Sequence, residues 1–496
     1  MGWFSLAAVS AAVLASLVTA DTCASVKRFS DIESFERFQE PYTTEQAEYW
    51  SSSCSALKPS CIIFPSTARE VANILNILNH NYDHFAIKSG GHNPNDYFAS
   101  IAGGPLISTK KLDKIVLDPE TGRIRVGPGN RWDDVAAALD GTGWTAVGGR
   151  VGNVGVGGYL LGGGLSFLSL EYGLAMSSIL EMEVVLANGK IVTASETENA
   201  DLFRVLKGGG NSFGIVTSFL LQGYKQGQVY GGNLIFARTE ETDAKLLNAL
   251  RDFTEYNSDD KAAIILTASR ASTGMDAWIM FIFYDGPTPP AGTFDEFTNV
   301  GPISNTVKTQ SYNDLITGNN AFVLKGIVNT IATETVPLPS AANAAEVLGG
   351  IHQYWRNISE SAMDVDSAVT VIGFQPFPKR MAKITREKGL DLLDMDDKVD
   401  RLLLEINYSY LLQTDTKKID RIMKRTFSGI RDRVLEWQHN GVLKRDAFLP
   451  LFMNGGYYSQ DYFGRLRPEL RRLAKKVAAK VDPYGLFKYR TGGFKL

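Results

Sequence analysis

Residues 85–93 read Phe-Ala-Ile-Lys-Ser-Gly-Gly-His-Asn. A short β-like run, Phe85 to Ile87, stops at Ser89-Gly90-Gly91, and the first side chain beyond the turn is His92. Paired glycines let successive backbone N–H groups turn inward and approach an anion closely, as a phosphate-cradling nest requires. A histidine placed there sits beside whatever carries the phosphate. The chain has only five histidines, the others being His80, His84, His352 and His439. Taken alone, the turn is equally well read as an ordinary loop with a solvated imidazole.

A second stretch shifts that balance. From Gly141 to Gly164, eleven of 24 residues are glycine, with Val, Leu and Trp interleaved and no Ser, Pro or Gln. Glycine at this density, in a composition unlike a flexible linker, means that the backbone passes very close to a partner. A large, flat, phosphate-bearing cofactor is the natural occupant. The nearest approach to a Rossmann fingerprint, Gly141-x-Gly143-x-x-Ala146, has a helix before it and more glycines after it. The fingerprint needs a strand before and a helix after, so that fold is rejected, and no Walker A pattern occurs.

Four segments stand in order: Ile87–Asn93, Val147–Gly164, Glu183–Gly189 and Asp201–Val216. Together they resemble the FAD domain of the vanillyl-alcohol oxidase/p-cresol methylhydroxylase (PCMH-type) superfamily, in its fungal berberine-bridge-enzyme-like branch. The ending, Asp482-Pro483-x-Gly485-x-Phe487 and Gly492–Leu496, is similar too. The resemblance is dense from about 57 to 227, sparse from 228 to 445, and returns near the C-terminus. It implies an α+β fold: a two-part FAD-binding domain over 21–227, a substrate or cap domain over 228–445, and a return to the FAD domain over 446–496. The cap is expected to be an antiparallel sheet covered on one face by helices.

The 496 residues, 44% hydrophobic and 21% charged, suit two domains of ordinary size with a substantial core. A net charge of −3 offers no basic footprint for nucleic acid. Residues 1–20 are an uncharged apolar run ending Val18-Thr19-Ala20, which fits a leader cleaved after Ala20, with an uncleaved anchor as the alternative. No Lys or Arg precedes the apolar run, a departure from the usual leader. The expectation is a secreted monomer with no membrane attachment after cleavage. Cys23, Cys54 and Cys61 cluster just behind the leader and suggest one disulfide and one spare thiol. The resemblance favours Cys23–Cys61, while Cys54–Cys61 is the sequence-local alternative. No metal-ligand spacing surrounds them. Asn357 and Asn407 open glycosylation sequons, although Asn407 falls within a strand-like run, Leu402–Leu412.

Periodicity marks out the layout. Thr67-x-x-Glu70 is a capping box opening a helix with Val71, Ile74, Leu75 and Leu78 on one face. Strands follow at 105–108, 115–117 and 123–126, then a helix at 132–139. Ala187-Asn188-Gly189 signals a hairpin between 181–186 and 190–194. A short helix at 201–207 and a strand at 214–221 complete this half. In the cap, strands are predicted at 262–268, 278–284, 369–374 and 402–412, with helices at 241–256 and 417–440.

The resemblance implies that FAD is bound by Lys88, Ser89, Gly90, Gly91, His92 and Asn93, by Gly149, Gly152, Asn153, Gly155 and Gly158, by Gly214, Ile215 and Val216, and by Asn454. It implies one covalent bond, from His92 to the 8α-methyl group of the flavin. Relatives with a second bond use a cysteine where this chain has Val151, so a single link is expected. A flavin supplies the redox chemistry, and the protein supplies orientation and a proton acceptor. Tyr457, Tyr458, Tyr408 and Tyr410 are the candidates for that acceptor, whereas Asp391 and Asp394 read as solvated. Related carbohydrate oxidases have a tyrosine directly after the residue matching Asn454, where this chain has Gly455. That difference tilts the expectation toward a secreted oxidase of a small secondary metabolite, with O₂ reduced to H₂O₂. The alternatives are a carbohydrate oxidase, a non-redox flavoprotein isomerase or cyclase, and a non-catalytic flavin-binding protein.

Overall fold

A computed structural model describes residues 21–496, and the expected leader, residues 1–20, lies outside them. Two sheets and a two-stranded ribbon of Trp144–Thr145 and Tyr224–Lys225 build the N-terminal half. One is a small mixed sheet in the order Ser34–Glu36, Cys61–Ile63, Leu106–Ser108, Ala86–Lys88, its last three strands parallel. The other is antiparallel, in the order Ile115–Leu117, Arg123–Val126, Ile215–Gln222, Ile179–Val185, Ile191–Ser195. The helix Ala68–His80 begins where the capping box predicts, with the Thr67 side chain accepting from the Glu70 N–H. Its apolar stripe of Val71, Ile74, Leu75 and Leu78 is buried against the small sheet. The helix Trp132–Leu139 likewise forms as the sequence predicts.

The cap is one antiparallel sheet. Its long strands run Val229–Ala237, Asp276–Tyr284, Ala262–Ala271, Val369–Phe377, Arg401–Tyr410 and Val328–Pro337, edged by short strands at 304–305 and 308–310. Helices Glu240–Tyr256, Gly350–Ser359 and Thr416–Asn440 cover one face. Because a strand alternates sides every residue, the helix-facing set of Arg401–Tyr410 is Leu402, Leu404, Ile406, Tyr408 and Tyr410, all buried in that core. The opposite set contains Glu405, Asn407 and Ser409. The uncovered face of the cap sheet turns toward the FAD-binding half.

The C-terminal segment returns to the first half. Asn211 donates to the Gly492 carbonyl (3.0 Å), and Phe494 packs edge-on against Phe98. A disulfide joins Cys23 to Cys61, and Cys54 is a buried free thiol. Two expectations fail here. Asp391 is buried and accepts from the Asp394 N–H (2.7 Å), and Asp394 pairs with Arg467 (3.1 Å), so neither is a solvated carboxylate. No helix among the described residues is long and apolar enough to cross a membrane.

Candidate active site

Between the glycine loops and the open face of the cap sheet lies a cavity of about 900 Å³, at the upper end of ligand-site volumes. Its floor is the turn predicted from residues 89–93, together with Gly149, Val151, Gly155, Gly158 and the segments 209–211 and 214–216. The two loops touch: a Cβ on Gly90 would lie 2.5 Å from the Gly155 Cα, so only glycine allows the approach. Gly91 adopts a φ of 68°, which also favours glycine. The N–H groups of Gly90, Gly91, His92 and Asn93 donate to no protein acceptor among the described residues. A Cβ built on Gly158 would meet nothing within 4 Å. Unspent amides over an open glycine cradle suit a diphosphate and a flat ring, so these residues fit FAD.

His92 projects from the floor. Its ring stacks on Trp50, with centroids 4.6 Å apart and planes 10° from parallel. The surface His92 retains faces the cavity, and enclosure by protein pushes its imidazole down to about 3, with the Arg131 and Lys325 charges adding to the effect. The ring is therefore neutral at physiological pH and keeps a nucleophilic nitrogen. Trp50 is tied to the same turn by its backbone N–H, which donates to the Gly91 carbonyl (3.0 Å).

Not every residue expected at the cofactor reaches it. Lys88 is buried behind the turn, bonded to Glu45 Oε1 (2.6 Å) and to the Glu45 carbonyl (2.9 Å). Gly152 and Asn153 face away, toward Asp133 and Asn320, and Asn320 accepts the Asn153 N–H (2.8 Å). Asn454 lines the cavity, but its amide chiefly stitches chains together: Oδ1 accepts from Gly164 N–H (2.9 Å) and Nδ2 donates to the Gly158 carbonyl (3.1 Å).

None of the four candidate tyrosines lines the cavity. Tyr408 bonds Ser359 (2.9 Å) and Thr426 (2.8 Å) beneath the helix layer, and Tyr410 bonds Thr416 (3.0 Å). Burial pushes both phenols up to about 12. Tyr457 and Tyr458 both donate to Asp420 Oδ1, at 2.9 and 2.8 Å, on the helix Thr416–Asn440. In their place the cap presents Glu405. Glu405 Oε1 accepts from Asn407 Nδ2 (2.9 Å), and Oε2 is 3.4 Å from Gln375 Nε2. Gln375 Oε1 in turn accepts from Arg150 Nη2 (2.5 Å). Gly373 stands directly opposite Glu405 in the sheet, leaving the carboxylate uncrowded on that side. Asn407 is thus a cavity residue in the folded protein, which removes it as a surface glycan site. Asn357 is exposed on its helix.

The polar faces of the cap strands carried the missed signal: Glu405, Asn407 and Ser409 alternate with apolar residues. Arg150 sits inside the glycine stretch, and Trp50 in a segment with no motif at all. Among the described residues, no group of His, Cys, Asp and Glu could hold a metal ion.

Residues 59–195 match the model of the FAD binding domain family. An uncharacterized FAD-linked oxidoreductase of Arthroderma benhamiae is 39% identical over 458 residues, covering 92% of this chain and 91% of the relative. The glucooligosaccharide oxidase structure from Acremonium strictum is similar in fold, with a TM-score of 0.76 at 18% identity over 97% of this chain and 98% of that one. The structure of berberine bridge enzyme in complex with (S)-reticuline gives a TM-score of 0.72 at 16% identity, covering 94% and 96%.

Proposed function

The chain belongs to the FAD-linked oxidoreductases, with the fold of berberine bridge enzyme, and from that premise we propose that it is a secreted oxidase. It dehydrogenates a small, largely apolar organic substrate and passes the electrons to O₂, giving H₂O₂. When bound, FAD supplies the acceptor for a hydride from the substrate carbon. The chain supplies the rest. The observation that carries the reading is Glu405, a carboxylate on the cap face above the glycine floor, held by Asn407 and Gln375. It takes the hydroxyl proton as the carbon loses its hydride, and the alcohol becomes a carbonyl.

His92 is the covalent anchor. Its neutral ring nitrogen would hold FAD covalently through the 8α-methyl group, and the bound flavin would supply the two-electron chemistry, with O₂ as the final acceptor. The Acremonium strictum oxidase carries a 6-S-cysteinyl, 8α-N1-histidyl FAD. Val151 has no thiol, so this chain forms one bond only. The Cys23–Cys61 disulfide supports an oxidising destination. An oligosaccharide would need polar partners along its length, whereas most of the surface lining the cavity is apolar, with Thr267, Ser269 and Asn329 interspersed on the cap wall.

Screening the purified protein against apolar alcohols and oligosaccharides, with O₂ uptake and H₂O₂ followed together, tests this. Hits are expected among apolar alcohols, with about one H₂O₂ per product. Oligosaccharide hits alone, or product without O₂ uptake, would refute it.

A further inference from the structure

Arg150 is the cation of the cavity's upper wall. It rises from the glycine loop between Gly149 and Val151, and its backbone carbonyl accepts from Asn319 Nδ2 (2.9 Å), which fixes the loop. Of its guanidinium donors, one on Nη2 is used by Gln375 (2.5 Å). The others find no protein acceptor among the described residues, and the side chain lines the cavity. The unspent N–H groups open on the cavity, where a ligand oxygen can take the place of water on a charged donor. Asn407 Oδ1, on the same wall, is also buried without a partner. Around this polar group the wall mixes Ile265, Ile279, Phe281, Ile331, Val369 and Val371 with the hydroxyls of Thr267, Ser269 and Ser409.

We infer that Arg150 is the substrate-anchoring residue, and that the substrate is an uncharged, mainly apolar hydroxy-carbonyl compound whose carbonyl oxygen accepts from Arg150 while its hydroxyl faces Glu405. The inference rests on reading the cavity as an FAD-linked oxidation site. Two features fix the class. Gln375 alone bridges Arg150 and Glu405, so the donor and the carboxylate lie within the span of a few covalent bonds, which suits a hydroxyl and a carbonyl on neighbouring carbons. The Arg150 charge is balanced by Glu405, so a substrate carboxylate would enter beside a like charge and be repelled, whereas a neutral carbonyl is not.

The test uses the flavin-loaded full chain under anaerobic conditions, with binding read as perturbation of the flavin absorption spectrum. The probes are benzoin (hydroxyl and carbonyl), deoxybenzoin (carbonyl alone), the corresponding alcohol (hydroxyl alone) and cellobiose. Arg150→Met is expected to weaken benzoin and deoxybenzoin by about tenfold or more, the worth of a hydrogen bond to a charged group. It should change the alcohol by less than about twofold, and Arg150→Lys should restore part of the ketone affinity. If Arg150→Met does not accumulate, Arg150→Gln, which removes the charge but keeps a polar side chain against Gln375, carries the same comparison. Equal weakening of all three aromatic probes, no response to benzoin, or tighter binding of cellobiose would overturn the inference. So would unchanged ketone affinity together with loss of flavin, which would reassign Arg150 to the cofactor. Failure of the oxidase reading itself would appear separately, as Arg150-dependent binding with no bleaching by any substrate.

Discussion

The Trp50 indole lies parallel to the His92 imidazole at 4.6 Å, so the one histidine on the cavity floor is held in a single plane. A nucleophile fixed before its partner arrives has no orientation left to lose. Trp50→Ala should therefore lower the fraction of flavin that stays with the polypeptide after denaturation, by about half or more, while Trp50→Phe keeps it near wild type. Flavin fluorescence of denatured protein on a gel measures this. Equal retention in both variants would reduce Trp50 to a packing role.

Glu405→Gln keeps the size and one of the two accepted hydrogen bonds but removes the proton acceptor. Turnover of any identified alcohol should fall by roughly 10²–10⁴-fold, with flavin content unchanged. Tyr408→Phe should leave turnover within about twofold and cost about 1 kcal/mol of stability, through the Ser359 and Thr426 bonds it loses. The reverse pattern would return the proton-acceptor role to the tyrosine.

Local structure was largely legible in the sequence. The helix at Trp132–Leu139 and the strands of the first half follow from capping, turn residues and period. The glycine turn and His92 were legible because a close backbone approach demands glycine whatever the tertiary context. The strand Arg401–Tyr410 was recognised, but choosing its tyrosines chose the wrong face. Tyrosine packs well in a core when its hydroxyl finds Ser359 or Thr426, and those partners come from helices distant in sequence. Its polar alternates, Glu405 and Asn407, could have been solvent-facing, and only the docking of the two halves makes them walls of a cavity. Lys88 misled for a similar reason: its partner Glu45 lies 43 residues away, outside any motif.

Asp391 gives a pH signature. Burial raises its carboxyl from 3.8 to about 6. The folded state therefore holds this proton where the unfolded state has released it. The stabilisation is fully present below pH 3.8 and is lost as pH rises through about 6. Asp391→Asn should flatten this contribution, on the order of 3 kcal/mol, and raise Tm at pH 8 relative to wild type. Thermal melts of both proteins between pH 4 and pH 8 measure it. A difference that does not change with pH would contradict the assignment.

Peptide mapping of protein secreted from a eukaryotic host should find glycan on Asn357 and none on Asn407, whose side chain is bonded to Glu405 inside the cavity. Cys23→Ser should lower stability by about 2–4 kcal/mol through the loop it opens. Buried Cys54, its thiol pushed up to about 12 by burial, should stay unreactive to thiol reagents until the protein unfolds.

The central claim is that the cavity between the glycine loops and the cap sheet holds FAD through a single bond to His92. Proteolysis of denatured, washed protein followed by mass spectrometry addresses it directly. The account predicts the mass of FAD, less two hydrogens, on the peptide containing His92 and on no other, and its loss in His92→Ala. A colourless protein, full release of flavin on denaturation, or flavin on the Val151 peptide would contradict it.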